Sequence, residues 1–220
     1  MKAIWKMGAR GMMVAVLLAG ASCTNTGEGP SGLPSDVVPA AAVLDITGES
    51  YELVRATFPN PLGNGVSCDV LGRRDPTPAR LRSAVWIGPL GGTVTIPGGQ
   101  VGGKLTAHVL TVPPLAVPSR TLFCMRLEPT NHMQVHLQAR ALDSRGRVVD
   151  VGAAGFRVPV KLSLSHLSAN LSSLQVQRLV VLHDPENGQP FVLTTSVSLP
   201  LLNTVVADLP HFSKYAMAVD

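Results

Sequence analysis

Alternating hydrophobic and polar residues are the strongest pattern in this chain, and they predict β-strands with one buried face. In residues 133–141, MQVHLQARA, every odd position is hydrophobic and every even position is polar or charged. Residues 156–164, FRVPVKLSL, repeat the pattern, with the hydrophobic residues at the even positions. A period of two is what an antiparallel sheet with one solvated face requires.

Further short β-branched runs, separated by glycine and proline, predict more strands joined by tight turns. Residues 167–177 lack the alternation, and their serine-rich SANLSS predicts a turn or one short helix. About nine to eleven strands at this spacing predict an all-β fold, a single antiparallel β-sandwich domain. Besides the two runs above, the predicted strands are 51–58, 84–88, 93–96, 107–112, 120–128, 178–184, 191–196, 204–209 and 214–219.

The first 22 residues differ from the rest of the chain and predict a signal peptide. The basic residues Lys2, Lys6 and Arg10 precede an apolar run at 12–21. That run is much shorter than the roughly 20 residues that a membrane-spanning helix needs. A basic start, a short apolar run and small residues are typical of a secretory leader that is removed on maturation. We therefore leave residues 1–22 out of the fold.

The end of this leader, Leu18–Cys23 or LAGASC, resembles the lipobox of bacterial lipoproteins, where cleavage leaves an acylated N-terminal cysteine. Cys23 is thus the predicted lipid attachment site, and two or three acyl chains would hold the protein firmly to a membrane. Lipoboxes usually have Leu where this chain has Gly20. Thr24 after the cysteine, rather than Asp, resembles outer-membrane sorting. The alternative is ordinary cleavage, for example after Ala21, which gives a secreted or periplasmic protein.

Composition divides the remaining chain into three segments. Residues 23–42 are rich in Gly, Pro, Ser and Thr, cannot bury enough apolar surface to fold, and predict a flexible tether. Residues 43–84, with a Pro- and Arg-rich second half, predict an N-terminal extension packed on the sandwich. Residues 85–220 are the predicted sandwich domain itself.

The net charge changes once the leader is removed. The whole chain has 18 Lys and Arg against 14 Asp and Glu, and three of the basic residues lie in the leader, so 15 against 14 remain. That balance lacks the concentrated basic footprint of a nucleic-acid-binding protein, and no nucleic-acid partner is predicted. The one local cluster is Arg73, Arg74, Arg80 and Arg82. It predicts an exposed polar loop, with an anion-binding patch as the alternative.

The chain contains three cysteines, and their number fits export. If Cys23 carries lipid, Cys68 and Cys124 remain, and an exported compartment permits a disulfide between them. Two buried free thiols are the alternative. The large hydrophobic residues at the odd positions of 123–127 share one strand face, so Cys124 lies on the other. We infer that the segment around Cys68 crosses that outer face. Two cysteines without a nearby His are too few for a structural zinc site.

Several runs together resemble the ZU-type β-sandwich domain shared by zonula occludens proteins, netrin receptors and ankyrins. The likeness covers about residues 85–219 and is closest to bacterial relatives on exported proteins. It implies a binding or scaffolding domain rather than an enzyme, with no cofactor and with an unknown envelope protein as partner. Leu115 departs from the family, which usually has Gly after Pro-Pro. The runs are IGPLGGTVTI, LTVPPLAV, VPVKLSLS, RLVVLHD and the closing LPHFSKYAM at 209–217.

The same resemblance implies one candidate reaction. In the related function-to-find domains of inflammasome sensors, a His-Phe-Ser sequence cuts itself between Phe and Ser, which here is the Phe212–Ser213 bond. The Ser213 hydroxyl would attack the Phe212 carbonyl while His211 takes the proton, in a strained peptide. The structural alternative is that Phe212 fills the core, Ser213 bonds locally and His211 caps a strand end. We predict no catalytic residue, with His211 and Ser213 as the alternative pair.

Two other kinds of site fit the sequence less well. His132 and His136 are four residues apart, but the Glu of a metalloprotease helix is missing and strand parity places both on a polar face, so no metal site is predicted. An envelope glycan- or ligand-binding module is a further alternative. Sugar platforms need exposed aromatic faces, and aromatic residues are only 4% of the chain.

These observations predict a non-enzymatic, exported, lipid-anchored structural or protein-interaction module of the bacterial cell envelope. Its predicted location is the outer membrane or the cell surface, with the N-terminal lipid as its contact to the membrane. Self-cleavage and glycan binding are the alternative functions. The oligomeric state is not indicated by any of these patterns.

Overall fold

Two antiparallel sheets make up the part of the chain that the structure describes. This structure is a computed structural model, and it describes residues 42–45, 47–55, 60–185 and 188–220, which belong to one compact unit. The leader and the lipobox with Cys23 lie outside the described residues, as does nearly all of the predicted tether. The all-β sandwich expected from the sequence is confirmed.

Fourteen strands and two short helices are described. The helices are α1 (Val151–Ala154) and α2 (Ser173–Gln177), and single 3-10 turns cover Ala79–Leu81 and Pro200–Leu202. The strands are β1 (Ala42–Leu44), β2 (Ser50–Leu53), β3 (Arg82–Ile87), β4 (Gly92–Val101), β5 (Lys104–Val112), β6 (Thr121–Leu127), β7 (Gln134–Leu142), β8 (Val148–Asp150), β9 (Val160–Ser165), β10 (Leu179–Asp184), β11 (Val192–Leu193), β12 (Ser196–Leu199), β13 (Thr204–Leu209) and β14 (Lys214–Val219).

The first sheet has nine strands and the second has five. The first follows the order β1–β2–β14–β7–β6–β3, with β10 also paired to β14, β11 to β10, and β8 to β7. The second follows the order β12–β13–β9–β5–β4. Strand β14 pairs with β10 along its length on one side, and with β7 and then β2 on the other. The chain passes between the sheets six times, at the connections β3–β4, β5–β6, β8–β9, β9–β10, β11–β12 and β13–β14.

The core lies between the two sheets and is built from the alternating positions. Along β7 the burial pattern alternates residue by residue, as the sequence predicts, with Val135, Leu137 and Ala139 turned inward. They meet side chains of the second sheet such as Leu162 of β9 and Leu110 of β5 in one cluster. Full burial of such a side chain contributes roughly 1.5–3 kcal/mol, so this interface dominates the stability of the domain.

The predicted strand at 156–164 begins too early. Strand β9 starts at Val160, and Val158, which was expected to face the core, is exposed. Pro159 explains the difference, because its ring nitrogen cannot donate to a strand ladder. Phe156 still packs against the core, but as part of an irregular segment whose amide donates to the Pro210 carbonyl at 2.9 Å.

Strand β4 extends to Val101, beyond the predicted 93–96, and further differences concern short elements. The predicted strand 191–196 is divided into β11 and β12, which belong to different sheets. Helix α1 was not predicted; it is a single turn capped by Asp150, whose carboxylate accepts the Ala153 amide. The short helix allowed for in 167–177 is α2. Ser172 begins it with a capping box, in which its hydroxyl accepts the Gln175 amide and the Gln175 side chain accepts the Ser172 amide.

Candidate functional site

The His-Phe-Ser triplet lies in the connection from β13 to β14, where the chain crosses between the sheets. Phe212 is buried and packs against two other rings, with centroid distances of 5.8 Å to Phe123 and 4.6 Å to Phe156. Gly152 of α1 lies so close that an added Cβ would meet the Phe212 Cβ at 2.9 Å. The Phe212 amide also donates to the Gly152 carbonyl at 2.9 Å. Phe212 therefore closes this part of the core.

The polar members of the triplet are engaged by neighbouring strands. The Ser213 hydroxyl donates to the Asp184 carbonyl of β10 at 3.1 Å, and the Ser213 carbonyl accepts the Leu137 amide of β7 at 2.9 Å. The His211 carbonyl accepts the hydroxyl of Tyr215 at 2.7 Å, and burial raises the pKa of that tyrosine. The His211 ring lies edge-on to His183, with centroids 4.8 Å apart. These contacts agree with the structural alternative for the triplet, and self-cleavage at Phe212–Ser213 stays an untested alternative.

The second feature is a layer on the outside of the first sheet. Residues 60–81 carry Cys68 across the outer face of β6, where a disulfide joins it to Cys124, with the Cα atoms 5.5 Å apart. Both cysteines belong to a small buried cluster with Ala84 and Leu122, separate from the main core. The disulfide was expected from the cysteine count and predicted export, and its place on the outer face was expected from strand parity. We call residues 60–81 the outer layer.

Asp75 holds this outer layer by charge and hydrogen bonds. Its buried carboxylate lies 3.1 Å from the Arg126 guanidinium of β6 and 3.7 Å from that of Arg82, and it accepts the amides of Cys68 and Thr77. Burial raises the pKa of Asp75, but the hydrogen bonds from Thr77, the Arg126 charge and the Cys68 amide together lower it below its ordinary value. The carboxylate therefore stays charged, and its partners compensate for its burial.

Arg82 divides the predicted arginine cluster in two. Arg73, Arg74 and Arg80 are exposed, as expected for a polar loop. Arg82 instead lies against that loop. Its guanidinium donates to the backbone carbonyls of Gly65, Asp75 and Thr77, all in the outer layer. The cluster is thus not one patch of equivalent cations, because one member is used to hold the loop.

Asn64 covers part of the exposed edge of β3. Its side-chain amide donates to the Ala84 carbonyl at 2.8 Å and its side-chain oxygen accepts the Ala84 amide at 3.1 Å. One side chain thereby provides both hydrogen bonds that a neighbouring strand would make. Open strand edges invite pairing with other chains, and this contact removes part of that edge.

Two histidines, His108 and His166, are buried at the end of the second sheet where β5 begins and β9 ends. His108 of β5 faces inward, and its Nδ1 accepts the Ser165 amide at 3.3 Å. Burial lowers the pKa of His108 to about 4, and burial also lowers the pKa of His166. His108 lies two residues before Leu110, which is buried in the core, so the alternation along β5 predicts that His108 also faces inward. Both rings are neutral at physiological pH.

Two of the runs that carry the family resemblance are hydrogen-bonded to each other at the end of the sandwich opposite His108. The amide of Leu115 in PPLAV donates to the carbonyl of Pro89 in IGPLGG at 2.8 Å. Gly91 allows the approach, because an added Cβ would lie 2.5 Å from the Val112 carbonyl oxygen. Leu115 has φ = 65°, a left-handed conformation in which Gly is the favoured residue. The departure from the family pattern therefore falls on a strained position.

Among the described residues, no helix is long and apolar enough to span a bilayer, and no group of three or more His, Cys, Asp or Glu side chains is placed to hold a metal ion. His132 is joined by a β-bridge to Arg55, and His136 lies within β7.

Trp86 is the one exposed aromatic side chain of the described ranges. Cys23 lies outside them, so its acylation stays a prediction.

Comparisons with known proteins identify no relative. The chain matches no protein-family model, and neither a search of curated proteins nor a search of solved structures found a match. The resemblance to ZU-type domains therefore rests on the quoted sequence runs and stays a prediction.

Proposed function

We propose that this chain is an exported, lipid-anchored, non-enzymatic β-sandwich of the bacterial cell envelope that acts as a structural or protein-interaction module. The observation that supports it best is the Cys68–Cys124 disulfide, which uses both cysteines of the described chain. Structural disulfides persist in oxidising compartments and are rare in the cytosol. The leader and LAGASC sequence explain how the protein reaches such a compartment, and Cys23 is the cysteine left for a lipid.

The organisation of the polar groups fits a binding module rather than an enzyme. Ser213 donates to a backbone carbonyl, Asp75 is neutralised by two arginines, and His108 is enclosed in the core. Each of these groups has a role in holding the fold together. The proposed partner is another protein of the envelope, reached from the membrane by the tether at residues 23–42.

Intact mass spectrometry of the protein purified from membranes tests this proposal. We expect a chain that begins at Cys23 with the mass of two or three acyl groups, and about two daltons less than the reduced form because of the disulfide. The Cys23→Ser variant should lose the acyl mass, while Cys68→Ser should leave the acyl mass unchanged. An unmodified chain with its leader attached, recovered from the cytosol, would contradict the proposal.

The same spectrum separates the self-cleaving alternative. Cleavage would give a C-terminal fragment that begins at Ser213, and Ser213→Ala would abolish it. We expect the chain to be intact in both forms. A glycan array probed with the purified domain tests the third alternative, and we expect no bound glycan.

A further inference from the structure

Five exposed hydrophobic side chains gather at one end of the sandwich, where β3 leads into β4 and β7 leads into β8. Leu90 is 91% exposed and Leu115 is 66% exposed, and the other three side chains are also exposed. Clusters of exposed apolar groups mark interaction sites on soluble domains. We call this set the apolar tip: Trp86, Leu90, Leu115, Leu142 and Val148.

Strand register places three of these side chains on one surface. Trp86 of β3 pairs with Leu122 of β6, which in turn pairs with Arg140 of β7. Leu142 follows Arg140 by two residues, so it lies on the same face, and it pairs directly with Val148 of β8. This is the outer face of the first sheet, because Leu122 belongs to the outer cluster with the disulfide.

The two leucines project from the turns beside this surface. Leu90 lies in the turn that follows β3, and Leu115 lies in the loop from β5 to β6. The hydrogen bond from the Leu115 amide to the Pro89 carbonyl fixes the two turns against each other. Both side chains therefore lie at the end of the sandwich and are largely exposed.

Five arginines lie at the same end of the sandwich as the apolar tip. The Arg120 guanidinium lies over the Trp86 ring, 5.1 Å from its centre. The two carboxylates nearby are engaged, since Asp143 accepts from Arg147 at 2.7 Å and Asp150 caps α1. Five cations against these two acids leave a surplus of three positive charges at this end. The cations are Arg120, Arg140, Arg145, Arg147 and Arg157.

The opposite end of the sandwich offers a contrast within the same molecule. The turn after β12 also exposes two leucines, Leu201 at 96% and Leu202 at 68%. No charged residue occurs between Ser196 and Thr204. Exposed leucines thus occur at both ends, but among the described residues only the apolar tip combines them with a tryptophan and several arginines.

We propose that the apolar tip docks onto an anionic lipid surface. Tryptophan is favoured at the level of lipid headgroups, because its ring is apolar and its N–H is polar. Leucines on projecting turns can enter the acyl boundary, and arginines around them attract and bind lipid phosphates. The proposal goes beyond the lipid anchor at Cys23, since it concerns the folded domain and needs no acyl chain.

Vesicle flotation tests this with a chain that starts at Pro39 and so lacks both the leader and Cys23. Both sheets and every core residue of the described ranges lie in this unit, so we expect it to fold alone, with the same circular dichroism for all variants. It should float with vesicles of phosphatidylglycerol and phosphatidylcholine and much less with phosphatidylcholine alone. Trp86, the one tryptophan left in residues 39–220, should shift its emission to the blue and be quenched by brominated acyl chains.

Variants separate the apolar and the charged contributions. Leu90→Ser/Leu115→Gly should lower the bound fraction on the order of tenfold, while the matched control Leu201→Ser/Leu202→Ser should bind like the wild type. Arg120→Gln/Arg145→Gln should weaken binding and reduce its dependence on salt. The proposal is overturned if the folded wild-type chain binds neither kind of vesicle, if Trp86 emission does not shift, or if the tip variant binds as well as the control. Loss of self-association, rather than of lipid binding, in the tip variant would also overturn it, in favour of a second copy as partner.

Discussion

The two faces of strand β6 are covered by different kinds of structure. On the inner face, Phe123, Met125 and Leu127 are buried in the main core between the sheets. On the outer face, Cys124 is joined by a disulfide and Arg126 by an ion pair to the outer layer, residues 60–81. The inner face is stabilised by the burial of many apolar groups. The outer face depends on one covalent bond and a few charged contacts.

This difference explains why β6 does not show the burial expected of a surface strand. Nearly all of its residues are buried, whereas the neighbouring strand β7 alternates. The outer layer has its own apolar cluster, but that cluster contains only four buried residues. So small a cluster cannot by itself offset the entropy lost in ordering the segment. We therefore expect the outer layer to loosen before the sandwich when its cross-links are removed.

The largest expected effect is on the inner side. Phe212→Ala removes the ring that packs against Phe123 and Phe156 and leaves a cavity, which should lower the free energy of unfolding by about 4 kcal/mol. Urea denaturation measures this change. The matched control is Leu201→Ala, at an exposed position, with an expected change within about 0.5 kcal/mol. A loss below about 1 kcal/mol for Phe212→Ala would contradict the role of this ring in the core.

The next effect is on the outer side. Cys68→Ser/Cys124→Ser opens a loop whose ends are 56 residues apart in sequence. It should cost about 3 kcal/mol and expose the outer layer to trypsin at Arg73 and Arg74. Limited proteolysis followed by mass spectrometry locates the first cut. Reduced wild-type protein should behave like the variant, and a first cut within the sandwich strands would contradict the separation of the two layers.

Acid should weaken the inner side first. Because burial lowers the pKa of His108 to about 4, against an ordinary 6.5, the unfolded chain binds a proton that the folded chain does not between these pH values. Stability is then greatest above pH 6.5 and falls as the pH drops toward 4, by about 3 kcal/mol in all. The His108→Gln variant should show a flatter profile in urea denaturation over this range. Equal slopes in wild type and variant would contradict the burial of a neutral His108.

The smallest effect concerns the loop that leads from β5 in the second sheet to β6 in the first. Leu115→Gly should raise the stability by about 1 kcal/mol, because Gly adopts φ = 65° without the strain of a side chain. The matched control is Leu90→Gly, in the adjoining turn and without a left-handed backbone, which should be neutral or slightly destabilising. Thermal unfolding measures both, and a loss of stability in Leu115→Gly would show that the Leu115 side chain supports the loop.

Strand parity was enough to predict the sandwich and the outer-face position of Cys124. Strand parity failed at Val158. The alternation in the sequence continues through Pro159, but Pro159 cannot donate the backbone hydrogen bond that would extend the strand. Strand parity also gave no sign of the ion pair between Asp75 and Arg126. These residues are 51 positions apart, and their contact depends on the path of an irregular segment. Local periodicity contains no information about such a path.

The same limit applies to the candidate sites. The His-Phe-Ser triplet can be recognised in the sequence. The packing of Phe212 against Gly152 and the hydrogen bond of Ser213 to Asp184 cannot, because they depend on where the chain crosses between the sheets. The apolar tip was not predicted. Trp86 and Leu142 come together through the register of β3, β6 and β7, and that register is set by tertiary structure.

Hydrogen exchange of the oxidised and reduced protein tests the contrast between the two faces of β6 most directly. On reduction of the Cys68–Cys124 disulfide, we expect the amides of residues 60–81 to lose their protection. The amides of β5, β7, β9 and β14 should keep theirs. Loss of protection throughout both sheets, or unchanged protection in residues 60–81, would contradict the conclusion that the outer layer is held on a sandwich that is stable without it.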